Sequence, residues 1–145
     1  MGIKKENVEL MKKKLSRSEA RCEAFKIIFS LGQHKDDVDF LFENLAAEYP
    51  ASVTSMPYIK GTVLGVLEKE EELLDIISKN LSEGWRIERI SKVSKSVLLL
   101  AVYEILYAED VPAPVAINEA VELAKKFDEP DSSSFVNGVL AGVVK

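Results

Sequence analysis

The sequence predicts an all-α protein, a compact helical bundle of about six to seven helices in one domain spanning residues 1–145. Three observations carry this. Apolar residues recur at spacings of three and four along most of the chain, which is the period of a helix with one buried face. Only five prolines and seven glycines occur in 145 residues, and 47% of the residues are hydrophobic, enough for one core. Capping and breaking residues fall between the periodic segments rather than inside them.

The elements follow in order. From about Lys14, residues Ala20, Ala24, Ile27, Ile28 and Leu31 form a single apolar stripe, with Gly32 as a stop. Asp36 or Asp37 caps a second helix carrying Val38, Leu41, Phe42, Leu45 and Tyr49, ended by Pro50. Ser55 and Pro57 then start one long helix with Ile59, Val63, Val66, Leu67, Leu74, Ile77 and Leu81, closed by Gly84. The charged run from Glu68 to Glu72 reads as its solvated face.

Between Lys92 and Ala108 the residues Val97–Tyr103, Ile105, Leu106 and Tyr107 cover nearly every side of a helix, which predicts a central element. Pro112 and Pro114 break the chain before a helix built on Ile117, Ala120, Val121, Ala124 and Phe127. Asp131 through Ser133 offer caps for a last helix, whose core side is Phe135, Val136, Val139, Leu140 and Val143. Gly138 and Gly142, four apart, suit close helix approach, and Asn137 needs a buried partner if it faces inward.

Several function classes find no residues. His34 is the one histidine and Cys22 the one cysteine, so ligand spacing for a metal and an internal disulfide are both missing. No glycine-rich phosphate loop or nucleophile elbow occurs, and neither an enzyme nor a cofactor is expected. The longest apolar run is interrupted by Glu104, far short of the roughly 20 residues of a membrane span. Glu6 and Glu9 argue against a presequence, and the plain expectation is a soluble, cytoplasmic protein.

Charge is unevenly distributed. Residues 1–30 hold eight Lys or Arg against four Glu, a net of +4, whereas the other 115 hold 11 basic and 20 acidic residues, a net of −9. At 100° per residue, Lys14, Arg17, Arg21 and Phe25 project within about 80° of one another. Guanidinium groups grip phosphate or stack on bases, and a ring offers a stacking platform, so the stripe is a candidate RNA-contact surface. The alternative is the ordinary polar face of an amphipathic helix. In "PDSSSFVNGVLAG" the serines leave hydroxyls at a helix start that favours an anion, and Phe135 reads as either core or a base-stacking ring.

Taken in order, "EARCEAFKIIF", "VSKSVLLLAVYEIL", "VAINEAVELAKKF" and "SSSFVNGVL" resemble the NusB family of bacterial transcription antitermination factors across nearly the whole chain. The resemblance implies a non-catalytic all-helical fold of two small helical subdomains, here residues 1–83 and 84–145. It implies binding of the boxA element of ribosomal RNA leaders together with NusE, a small-subunit ribosomal protein, in an RNA polymerase antitermination complex.

Residue by residue, the resemblance implies RNA contact at Lys14, Arg17, Arg21 and Phe29, and at Asp131, Ser132, Ser134 and Phe135. It implies NusE contact around Ser94 and Lys95, where an acidic body suits a basic protein. Three positions depart from the family pattern. Phe29 stands where tyrosine is frequent, Ser134 where lysine is common, and Leu99 where an arginine would partner Glu104. Two alternatives stay open: an interaction module of this fold that has lost RNA binding, and a homodimer. NusB-like domains also precede rRNA cytosine methyltransferases, a reading set aside because no catalytic domain follows here.

Overall fold

The structure, a computed structural model, describes residues 5–145. Among them are eight α-helices, two 3₁₀ segments and no strand. They form two compact units that divide between Gly61 and Thr62, inside a helix, whereas the sequence reading divides the halves at residues 83 and 84.

In the first unit, α1 (Lys5–Lys12) and α2 (Arg17–Gln33) are separate helices. The spacing predicts a helix from about Lys14 and none before it, and the later start of α2 has a local cause. Ser16 accepts a hydrogen bond from the Glu19 N–H (3.0 Å), and Glu19 accepts one from the Ser16 N–H (2.9 Å), a reciprocal capping box. The S-x-x-E signature was legible in the sequence and places the start of α2 three residues later than the apolar stripe alone does. Lys13 adds an ion pair to Glu19 (2.6 Å).

The connector between these helices is held from a distance. Ser52, 2% exposed, accepts from the Leu15 N–H (2.7 Å) and donates to the Lys13 carbonyl (2.8 Å); Ser55 donates to the Leu15 carbonyl (3.4 Å). Both serines belong to a 3₁₀ segment, Pro50–Ser55, that follows α3 (Val38–Glu48). Asp37 caps α3 through the Asp39 N–H (3.0 Å), and Tyr49 with Pro50 ends it as the sequence predicts. The α2 stripe is buried at Ala20, Ala24, Ile27 and Ile28, and α2 packs against α3. The helix α4 (Met56–Glu68) carries Tyr58 and Ile59 into this unit.

In the second unit the long helix expected up to Gly84 is two, α4 and α5 (Glu70–Lys79), with Lys69 in a non-helical backbone conformation between them. Glu70, Glu71 and Glu72 fill the first turn of α5, where carboxylates complement the partial positive charge of a helix N-terminus. The acidic run is thus a start signal as well as a solvated surface. From α6 (Lys92–Tyr107), Tyr107 donates to Glu72 (2.6 Å) and lies beneath Lys69, whose ammonium is 4.5 Å from the ring centroid. Gly65 lies against the Tyr103 ring so closely that no side chain fits there.

As its all-round apolar surface predicts, α6 is central and packs against α5, α7 (Ala113–Phe127) and α8 (Ser132–Val143). Val97 to Val102 are all buried. Glu104 is also buried and engaged, although Leu99 stands in place of the expected arginine partner. Pro112 caps α7, and Pro114 sits inside its first turn, where a missing N–H costs nothing. α5 ends at Lys79 because Asn80 turns back to donate to the Ile76 carbonyl (2.9 Å).

A Cβ on Gly142 would meet the Asn80 oxygen at 2.6 Å, so this glycine does permit close approach. Gly138 has open space around it, and Asn137 is exposed. No helix of the described residues is long and apolar enough to cross a membrane.

Two outcomes are expected. Ser52→Ala leaves a partly buried N–H and carbonyl without their partner and should destabilise the protein by about 1–3 kcal/mol, with faster hydrogen exchange at the Leu15 amide. The Lys13 ammonium, then the Ser16 amide, hold the Glu19 carboxyl down at about 2. A depressed acid contributes stability above its unfolded value of 4.5 and loses it as pH falls toward 2. Glu19→Gln, which keeps the cap, should flatten that acid limb in pH-dependent denaturant melts.

Candidate nucleic-acid interface

The residues assigned to RNA contact lie in both units. In the first, Lys14 stands in the connector rather than on the helix, so helical spacing does not place it; the Ser52 clasp on Lys13 and Leu15 does. Lys14 and Arg17 are both exposed. The Arg17 guanidinium lies 4.1 Å from the centroid of the Tyr58 ring, a cation–π distance.

Arg21, one turn on, is different in kind. It is only 3% exposed, and its guanidinium is 5.8 Å from the same ring. The stripe read from spacing therefore turns inward: Arg17 is at the surface, Arg21 is enclosed, and Phe25 is core at 3%. Tyr58 is the feature that organises both arginines, and no local spacing could have shown it, because the contact is made by a residue of α4. Phe29 is half-buried, its ring 6.2 Å from that of Phe25.

In the second unit the remaining residues follow Asp128, which ends α7 and gathers several polar groups. Ser91 and Ser94 both donate to its Oδ2, Ser94 at 2.7 Å, and the Glu129 N–H donates to its Oδ1 at 2.8 Å. Burial pushes the Asp128 carboxyl up, but the hydrogen bonds from Ser91, Ser94, Glu129 and Ser132 outweigh it and hold the group below its ordinary value. Ser91 also caps α6 through the Ser94 N–H (2.9 Å).

One carboxylate thus ties the start of α6 to the start of α8. Ser94, assigned to the NusE side, is 2% exposed and turned to Asp128, while its neighbour Lys95 is half-buried. Ser132, assigned to RNA, is half-buried and bonded to the same group. Asp131 is exposed and makes no capping bond with its side chain, although the sequence offers it as a cap; Ser134 is exposed. Phe135 is half-buried, between the two alternatives of core and platform. Its ring is 5.6 Å from that of Trp85, which the sequence reading passed over and which is 53% exposed.

The family model described as the NusB family matches residues 18–145, so the connector and Arg17 lie just ahead of the match. The transcription antitermination protein NusB of Acetivibrio thermocellus is 41% identical over 131 residues, 90% of each chain. That of Bacillus subtilis is 38% identical over 130 residues, 89% of this chain and 95% of the relative.

Among solved structures, T. maritima NusB superposes with a TM-score of 0.81 at 31% identity, over 90% of this chain and 92% of that one. A chain in the crystal structure of antitermination factors NusB and NusE in complex with dsRNA superposes with a TM-score of 0.77 at 27% identity, over 88% and 94%. By the span of the family match and the identity to these relatives, the chain belongs to the NusB family.

Proposed function

We propose that the chain is a transcription antitermination factor. It binds boxA-type single-stranded RNA of ribosomal RNA leaders together with the small-subunit ribosomal protein NusE, and so helps RNA polymerase resist termination. The observation that carries this is the family match over residues 18–145 with 41% identity to a NusB antitermination protein. The likeness to the NusB–NusE structure in complex with dsRNA supports NusE and RNA as the two kinds of partner. No bond is made or broken in this role, which rests on binding alone.

Within it the residues take graded parts. Lys14 and Arg17 meet phosphate directly, since both are exposed and Arg17 is steadied on Tyr58. Arg21 is a positioning residue behind them. Ser134 and Asp131 flank the second contact, with Phe135 partly open beside them. Lys95 presents the partner side, while Ser94 fixes the end of the helix that carries it. A second reading, a protein-interaction module without RNA binding, draws on the burial of Arg21, which withdraws one of the two arginines from the surface.

The deciding experiment titrates boxA-type RNA against the protein, with and without NusE, at two salt concentrations. Affinity that rises with NusE and falls with salt, at about −0.7 per neutralised phosphate in log–log terms, supports antitermination; NusE binding indifferent to RNA supports the module. The two arginines should separate. Arg17→Ala should weaken RNA binding and flatten the salt slope while leaving the melting curve in place. Arg21→Ala should destabilise the fold by about 2 kcal/mol through lost packing, read by denaturant melts.

A further inference from the structure

We propose that Trp85, Arg86 and Arg89 form a further contact surface for single-stranded RNA, with Trp85 as a base-stacking platform and the two arginines on the backbone phosphates. The inference rests on the RNA-binding reading above and extends it to a segment that reading leaves unused. Trp85 is 53% exposed and its ring lies 5.6 Å from that of half-buried Phe135, so two aromatic rings are contiguous at the surface. A large ring left half in water is unusual for a residue whose burial would stabilise the fold, and rings so placed suit stacking on a base.

The charge around it selects an anion. Residues 85–92, ahead of the Ser94–Lys95 partner side, hold three Lys or Arg against one Glu, in a stretch of the chain, residues 31–145, where acids outnumber bases 20 to 11. Arg86 and Arg89 are both exposed and are joined by one 3₁₀ turn, closed by the Arg89 N–H on the Arg86 carbonyl (2.9 Å). A basic ribosomal protein would be repelled by this surface, whereas a polyanion with unstacked bases matches both its charge and its rings.

The platform is also fixed at both ends. Before it, Gly84 takes φ +85°, a conformation that residues with a side chain rarely adopt, and the Trp85 N–H closes that turn on the Ser82 carbonyl (3.0 Å). After it, Ile90 is buried and Ser91 is bonded to Asp128. A ring held in place binds a base without first being ordered.

Trp85 is the single tryptophan of the chain, so its fluorescence reports on this surface alone. The test adds boxA-type single-stranded RNA, or NusE, to the full-length protein and measures acrylamide quenching together with RNA affinity. The expected result is that RNA shields Trp85. Trp85→Ala should then lose about 5- to 150-fold in affinity, Trp85→Phe should recover most of it, and Arg86→Gln with Arg89→Gln should lower the salt slope by about 0.7 per lost contact.

RNA that binds the unsubstituted protein while Trp85 stays equally quenchable overturns the inference and leaves the antitermination reading standing, whether or not Trp85→Ala folds. Shielding by NusE and not by RNA overturns it in favour of a protein interface. No RNA binding by the unsubstituted protein removes both.

Discussion

A helix that is apolar on every side has no stable place in water, and α6 is such a helix. Burying each of its aliphatic side chains is worth about 1.5–3 kcal/mol, so Val97 to Val102 can form a helix only where other elements cover them. That requirement arranges the second unit: α5, α7 and α8 each lie against α6. It also fixes where polar groups must be settled, because the ends of a buried helix carry N–H and carbonyl groups that need partners. Ser91 meets that need at the N-terminal end, and Asp128 holds Ser91 and Ser94 together. Residues assigned to RNA and to the protein partner thus stand on supports demanded by the core.

The first unit solves a different problem, the presentation of a short basic segment by polar contacts. Lys14 and Arg17 have long flexible side chains and would sample many positions on a loose chain. Two serines from the Pro50–Ser55 turn bond the backbone beneath them, and Tyr58 supplies a flat surface for the Arg17 guanidinium. Arg21 faces the same ring from the enclosed side. Two arginines four residues apart thus differ in kind, Arg17 at the surface and Arg21 enclosed.

The sequence shows the helices wherever a rule acts within a few residues. The apolar period identified α2, α3, α6, α7 and α8, and the all-round hydrophobicity of α6 marked it as central. The break at Lys69 was missed because periodicity continues through a junction that a cluster of carboxylates interrupts, whereas α1 lies ahead of the first apolar stripe and was not assigned at all. Ser16-x-x-Glu19 and Glu70–Glu72 were the local signs of where α2 and α5 start. The site was less legible, because Tyr58, Ser52 and Asp128 act on residues distant in sequence. Spacing put Arg21 on a stripe with Arg17 but could not show which end of the stripe goes under. Trp85 escaped notice because it belongs to no periodic segment, and its contact with the Phe135 ring joins residues distant in sequence.

The clasp on the Lys13–Leu15 connector has a consequence in time. Its donor and acceptor, Ser52, is made well after the basic segment it holds, and closing that loop carries an entropic cost that only a folded first unit offsets. During synthesis, then, the lysines and Arg17 emerge as an unanchored cationic tail, able to meet any polyanion at hand. They acquire a fixed geometry only when the 3₁₀ turn arrives. The fixed geometry of this basic segment is in that sense a late product of translation, absent from the nascent chain that already carries its charge.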